Sequence, residues 1–597
     1  MTRVKELAAL TEDLERHLGD PHDPESPSSF VTILDLDERE QYPHMLLDHL
    51  RAWGAHEFGV PVGAGGRGVA TQDSVAFGTA ISRRDATLAT ALSITMLSYM
   101  PIWVGGTPEQ QERYGLAVRN GAKFAWGLSE REHGSDVLAN TMTARAVEGG
   151  WVVDGEKWVI GNATLADHVV LFARTDDRGG PAGFTILVLD KRATPARCVG
   201  SLPDERLHGL RGIDMSGVRL TDCFVPDSAR VGQPGRGLEI ALKSSHPVRI
   251  MITGIALGCA DTALRLALDF STRREIFGRR VVDVPYSRRK LVESFADLLL
   301  CDVVSYCAAR SLQAAPDQSS VWSATAKYLV PTMLDRTVGE LGVVLGARHY
   351  LRSHPRYGAF QKAKRDLLVA NFADGNTVVN LKNIALQLDN LLAPPKDEAA
   401  LAAALARSAV LFDWDAPLPD VEPWAAQAVS RSGDDAVTVL PHALGRLARR
   451  VDEVRDSGDA TGARCWARCV ELGERFRGEL TRIGQRSAAL RTELGRGYGD
   501  SAELFALAEQ FCVLHAAATC LAHRALSSSW ITEPLDGPAP LLLCLERLWR
   551  TLHPLDRIAD TADVEDVATA LLRLHAEHRS FGYRQFALAA TARNGES

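Results

Sequence analysis

Nowhere does the sequence run uninterrupted for the roughly 20 apolar residues that a membrane-crossing helix needs, and its start, Met1 to Asp20, is polar and charged rather than signal-like. The expectation is a chain with no transmembrane segment, located in the cytoplasm. A basic excess is also missing. The formal net charge is −8 over 597 residues, which leaves no electrostatic footprint for nucleic acid. Metal-site spacing is absent as well. The ten cysteines lie between Cys198 and Cys544, and the closest pairs, Cys301 with Cys307 and Cys465 with Cys469, lack C-x-x-C spacing and histidine partners. They read as reduced, buried core thiols, with no metal implied.

What is present is an ordinary globular composition, 46% apolar and 24% charged. The length is too great for one hydrophobic core, so several domains are expected. From Val31 to Gly121 apolar residues recur at helical spacing, broken by Pro61–Gly66. From Phe124 to Val231 the text changes to short apolar runs, Trp151–Val153, Val169–Phe172 and Phe184–Leu189, with Asp154-Gly155 reading as a turn after the first. Helical spacing returns after Gly237, as along Arg249–Thr272 and at Leu291, Phe295 and Leu298, and holds to Leu388. Leu392-Ala393-Pro394-Pro395 breaks it, a second Pro-rich passage follows at Ala416–Pro419, and a last helical region runs nearly to the end. There Leu440, Leu444, Leu447, Val451 and Val454 form the stripe of a bundle seam. The predicted class is α+β and multidomain: a helical domain (1–122), a β-barrel-like domain (123–235), a four-helix bundle (236–393) and an additional all-helical domain (394–597).

Two segments carry chemistry. Trp126-Gly127-Leu128-Ser129-Glu130-Arg131-Glu132-His133-Gly134-Ser135-Asp136 places small and hydroxyl-bearing residues in a loop that suits the approach of something flat or anionic. About twenty residues on, Gly155-Glu156-Lys157-Trp158-Val159-Ile160-Gly161-Asn162-Ala163 reads as a strand entering a Gly/Asn turn. Either alone is weak, because Ser, Gly and Asp serve any turn.

In this order and distance the two segments resemble those of the acyl-CoA dehydrogenase and acyl-CoA oxidase superfamily, and the resemblance covers about residues 30 to 390. It implies FAD. The resemblance puts Leu128 and Ser129, with Trp126 and Gly134 in the same loop, at the isoalloxazine edge, and Ser135 near the thioester and pantetheine path. Where the family has an aromatic residue and a Thr over the flavin, this chain has Val159 and Gly161, with Trp158 and Ile160 beside them. Arg274-Glu275-Ile276-Phe277-Gly278 matches the family's Arg-x-x-Phe-Gly, in which Arg binds FAD pyrophosphate and Phe packs on the cofactor of a neighbouring subunit. Gly346, in Leu345-Gly346-Ala347-Arg348-His349-Tyr350, retains one glycine of a G-G-x-G turn that approaches FAD. His349 and His354 have no nucleophile paired with them and read as ordinary polar residues.

The reaction implied is removal of hydrogen across the α and β carbons of an acyl thioester, with a base for the α proton. The family's base follows an Arg-Asp pair by eight residues. Here the pair is Arg365-Asp366, and Phe372-Ala373-Asp374-Gly375-Asn376-Thr377 follows, so Asp374 takes the position, one methylene shorter than the usual Glu. A one-residue shift would align Asn376-Thr377 with the oxidases and seat Ala373 there. The other known seat, before Arg249, holds Val248. A turn or helix-cap role for Asp374 is the bland alternative. Asn376 and Thr377 are assigned to cofactor, and Arg249, Gly375 and Ser135 to substrate. The resemblance further implies acyl-CoA or acyl-carrier-protein as substrate, electron-transferring flavoprotein or O2 as acceptor, and a homodimer or homotetramer. A flavin monooxygenase, a nitroalkane-type oxidase and a non-catalytic scaffold remain alternatives on the same fold.

Overall fold

A computed structural model gives the fold and describes residues 3–68, 70–420, 425–430, 432–527 and 530–590. Six helices open the chain: α1 (Arg3–Leu18), α2 (Phe30–Glu38), α3 (His44–Trp53), α4 (Thr71–Ser82), α5 (Ala86–Gly105) and α6 (Pro108–Arg119). Their starts are written locally. The Asp85 side chain accepts from Thr87 N–H ahead of α5, and Thr107 and Gln110 form a reciprocal capping box with Pro108 in the first turn of α6.

The middle region is one eight-stranded sheet: β1 (Phe124–Gly127), β2 (Thr143–Val147), β3 (Gly150–Gly161), β4 (His168–Arg174), β5 (Phe184–Asp190), β6 (Val199–Leu202), β7 (Met215–Pro226) and β8 (Arg230–Val231). Its order is β6-β7-β3-β2-β4-β5-β8, with β1 parallel to β4. Asp154-Gly155 is not the expected turn. It lies inside β3, where pairing with β7 slips between Val153 and Gly155. Gly155 sits at φ +133, and a Cβ there would come within 2.8 Å of Met142 Cα. A bulge recruits the same residues as a turn, which is why the two are confused in sequence.

The bundle comprises α7 (Gly237–Ser271), α8 (Pro285–Ala314), α9 (Ser319–Leu345), α10 (Pro355–Asp366), the single turn α11 (Val369–Phe372) and α12 (Thr377–Leu392), with a two-stranded hairpin, β9 (Glu275–Ile276) and β10 (Arg279–Arg280), after α7. A buried charge cluster fixes it to the other two regions. Lys362 Nζ lies 2.5 Å from both Asp85 and Asp366, Arg365 is 2.5 Å from Asp37 on α2, and Asp366 accepts Leu210 N–H from the β region at 2.8 Å.

Beyond it lie α13 (Glu398–Phe412), α14 (Asp435–Asp456), α15 (Ala460–Leu494), α16 (Ala502–Leu526), α17 (Ala539–Leu552) and α18 (Thr561–Ala576). The predicted stripe is the seam of α14 against α15 and α16, with Leu440, Leu444, Leu447 and Val451 buried. This added layer packs on α8, α9 and α12. It is pinned by Arg547, 2.7 Å from Asp297 and 3.2 Å from Glu293. All ten cysteines are free and buried.

One sequence expectation is corrected. Ala86–Gly105, Gly237–Ser271 and Ala502–Leu526 are long and apolar enough, by length and composition, to cross a membrane. Interspersed Ala, Gly, Ser and Thr conceal that in a search for uninterrupted runs. In this fold most of each of these stretches is buried against other helices.

Candidate functional site

The loop after β1 is held from beneath by one buried ion pair. Glu130 accepts from Lys157 Nζ at 2.9 Å, from the Thr141 hydroxyl and N–H at 2.7 Å, and from Met142 N–H at 2.9 Å. Lys157 also donates to Leu128 O, and Trp158 N–H to Ser129 O at 3.1 Å. Burial draws the Lys157 ammonium down to about 8, against the pull of Glu130. With its carbonyl thus anchored, Ser129 keeps its N–H and hydroxyl free of any partner among the described residues. Those are the donors a flavin edge requires, so the loop fits FAD. Trp126, in β1 opposite Val170, packs against the sheet core, and Gly134 has nothing within 4 Å of a would-be Cβ.

At the end of β3 a second register slip falls between Trp158 and Ile160, with Val159 at φ +52. The slip carries Trp158 beside the loop, where its Nε1 donates to Glu205 at 2.9 Å and Arg131 lies 4.3 Å over its ring. Ile160 is buried, and Gly161 abuts Ile94 of α5 so closely that a Cβ would come within 2.5 Å. A Thr in that place would require the Ile94 side chain to shift.

The turn expected to carry the base connects α11 to α12. Asp374 has φ +54, a conformation costly for a side-chain-bearing residue. Its carboxylate makes no hydrogen bond and no ion pair within 4 Å among the described residues, so it is neither a cap nor an Asx turn. The cap of α12 is Asn376, which accepts Val379 N–H at 3.0 Å. The backbone is gripped instead. Arg249 Nε donates to Asp374 O at 3.4 Å, Lys327 Nζ to Ala370 O at 2.6 Å, and Asn380 Nδ2 to the Gly375 and Asn376 carbonyls at 3.0 and 2.9 Å. Gly375, at φ +111, leaves room for Arg249, since a Cβ would sit 3.1 Å from its Nε. Val248, the other possible seat of a base, is a buried apolar residue.

Burial raises the proton affinity of Asp374, and Lys327 and Arg249 partly offset it. The same burial brings Lys327 down to about 7 and Arg249 to about 10, with Asp374 pulling both back up. Lys327 and Asn380 escaped the sequence reading. A lysine amid the apolar residues of α9 was the available signal for the first.

One contact joins the two motifs. Asn376 Nδ2 donates to Ser135 Oγ at 2.9 Å, across 241 residues of sequence. Thr377 opens α12 beside it. The remaining predicted residues lie elsewhere: Arg274 and Phe277 project at the β9–β10 hairpin, Arg274 without an ion pair among the described residues and Phe277 92% exposed at φ +51. Gly346 closes α9 at φ +58. His349 bonds its own turn through Gly346 O, and the His354 ring lies tilted against Tyr357. An apolar hollow of about 100 Å3 lined by Met96, Met100, Trp103, Pro247 and Met251 lies across α7 from Arg249.

The acyl-CoA dehydrogenase N-terminal, middle and C-terminal domain models match residues 31–121, 125–223 and 235–388. The chain belongs to the acyl-CoA dehydrogenase family. It is accordingly an FAD-dependent oxidoreductase acting on CH–CH bonds. It is 30% identical over 269 residues to the human mitochondrial short-chain specific acyl-CoA dehydrogenase, a match spanning 44% of this chain and 64% of that protein. With the short-chain specific acyl-CoA dehydrogenase of Megasphaera elsdenii it shares 27% over 378 residues, 62% of this chain and 97% of the relative. The butyryl-CoA dehydrogenase structure from that organism superposes with a TM-score of 0.58 at 24% identity, over 64% of this chain and 97% of the other.

Proposed function

We propose that the protein oxidises an acyl-CoA to its α,β-unsaturated thioester, with Asp374 as the base. The observation that carries this reading is the Asn376–Ser135 hydrogen bond, which fastens an unpaired, half-buried carboxylate to the loop whose Ser129 donors suit a flavin. FAD, once bound, would accept the β hydrogen as hydride. The chain's own part is a proton transfer and its preparation. The Asp374 carboxylate takes the pro-α proton. Burial strengthens its grip on that proton, and Lys327 and Arg249 partly offset the effect by favouring the ionised form. The Asp374 N–H has no partner among the described residues and is free to meet the thioester carbonyl as enolate charge develops. The grips of Arg249, Lys327 and Asn380 on the turn hold Asp374 where its shorter side chain must reach, and a displacement of about 1 Å would be costly.

Arg274 and Phe277, exposed on their hairpin, belong in this reading to the cofactor site of a second copy, making the working unit a homo-oligomer. The test is anaerobic titration of the FAD-loaded protein with acyl-CoAs of graded length. Bleaching of the flavin by one or more of them is expected, with slow recolouring in air and fast recolouring on adding electron-transferring flavoprotein. Rapid recolouring in air alone would convert the reading to an oxidase. Bleaching by acyl-carrier-protein but by no acyl-CoA would move the substrate, and bleaching by neither would sink the proposal.

A further inference from the structure

The layer beyond residue 388 contains a hollow of about 200 Å3, lined by Arg446, Arg449 and Arg450 of α14, Trp466 of α15 and Arg524 of α16, with Glu453 as its one carboxylate. Four guanidinium groups around a single acid is an unusual surplus in a chain whose net charge is −8. Their pairing makes the surplus sharper. Arg450 reaches Glu453 at 3.3 Å, Arg446 donates to Ala525 O at 3.1 Å, and Arg449 has no partner among the described residues.

Arg524 is the informative member. It is 5% exposed, yet it forms no ion pair among the described residues; its contacts are the Asp536 carbonyl and the face of Trp466, 4.8 Å away, and its Nε is left without a partner. A buried guanidinium is costly unless its donors are met. Arg310 shows how this chain satisfies one by itself: that side chain, fully buried, donates to Val410 O, Trp414 O, Ala416 O and Gln72 Oε1. Arg524 has no such set. Burial foremost, and then the neighbouring Arg450, weaken its hold on its proton, and Tyr583 and Asp536 offset them only in part.

We propose that this hollow is an anion site for a phosphate group, carried either by a small soluble molecule or by a phospholipid headgroup. Guanidinium forks match phosphate oxygens in pairs, and the volume admits one phosphate with a small substituent. The site lies outside the matched family domains and does not depend on the assignment of Asp374.

The test uses the full-length protein with inorganic phosphate as probe. At constant ionic strength, set with chloride, phosphate is expected to raise the melting temperature saturably. Calorimetric titration should give a dissociation constant weakened about tenfold or more by Arg449→Glu with Arg450→Glu, both exposed positions that α14 tolerates. Arg524→Gln should weaken it likewise, and because the double variant leaves the core untouched, a folding failure of Arg524→Gln leaves the test intact. Flotation with vesicles of phosphatidylcholine with and without phosphatidate separates the sources. Capture that depends on phosphatidate and is competed by phosphate assigns a headgroup, and phosphate binding without capture assigns a soluble ligand. A phosphate response equal to chloride, or one unchanged in the double variant, overturns the proposal.

Discussion

Two charge clusters on the bundle, one around buried Asp366 and one around half-buried Asp374 eight residues on, are built on opposite principles. Around Asp366 every charge is answered: Lys362 and Arg365 contact Asp85, Asp37 and Asp366, and the lysine and the aspartate also take neutral partners in Thr87 and Leu210. The positive groups overcome burial and hold the Asp366 carboxyl below its ordinary value. Around Asp374 the cations Lys327 and Arg249 spend their hydrogen bonds on backbone carbonyls, and the carboxylate is left bare. Its proton affinity is raised instead. A paired buried carboxylate is an anchor, whereas an unpaired one is available to a substrate.

The comparison breaks most visibly at the two aspartates. Asp374→Asn is expected to slow flavin bleaching by acyl thioester about 10²–10⁴-fold, the usual worth of a general base, while bound FAD and the unfolding profile stay as in the parent. Asp366→Ala should do the reverse. It removes the carboxylate that Lys362 and Arg365 share, leaving them Asp85 and Asp37, and takes the acceptor from Leu210 N–H. The cost is about 3 kcal/mol, read by denaturant unfolding, and the folded fraction should still bleach. Equal losses of stability in the two variants would erase the distinction.

How far the sequence itself reveals this contrast depends on the residue. Arg365-Asp366 and Asp374 are both visible as motif positions, yet that Asp366 is an anchor follows only from contacts with Asp37, Asp85 and Leu210, drawn from distant elements. The flavin loop is legible because glycine and serine there break strand periodicity. Trp158 beside it is placed by a bulge that no composition signals. Lys327 is invisible for the commonest reason: a single lysine in a helix reads as solvated, and only packing shows that it is 2% exposed. The three long apolar helices fall in stretches of helical spacing, but small residues interrupt their apolar runs and hide how long and apolar they are, while β4 and β5, compact runs of Val, Leu, Ile and Phe, stand out directly.

Lys327→Met sharpens the comparison through pH. The folded-state value near 7 lies below the ordinary lysine value near 10.4, so between these limits the unfolded chain binds more protons at this site and stability rises with pH. Removing the amine should flatten that part of the stability curve relative to the parent. It should also move the acid limb of the bleaching rate upward in pH, because Asp374 loses a cation that favours its ionised form. A variant that lowers stability without moving either pH profile would make Lys327 a packing residue only.

The smallest expected effect concerns the link between base turn and flavin loop. Asn376→Ala removes both the α12 cap, worth about 1 kcal/mol, and the bond to Ser135, whereas Ser135→Ala removes the bond alone. Both variants should therefore slow bleaching by a similar factor, about tenfold or less if a net hydrogen bond of about 1 kcal/mol is what registers the turn. Only Asn376→Ala should lower the melting temperature. In the double variant the rate should fall no further than in either single one, because the two side chains act through one contact. Additive rate losses would mean that Ser135 and Asn376 serve the reaction separately, with the base turn held in place by Arg249, Lys327 and Asn380 alone.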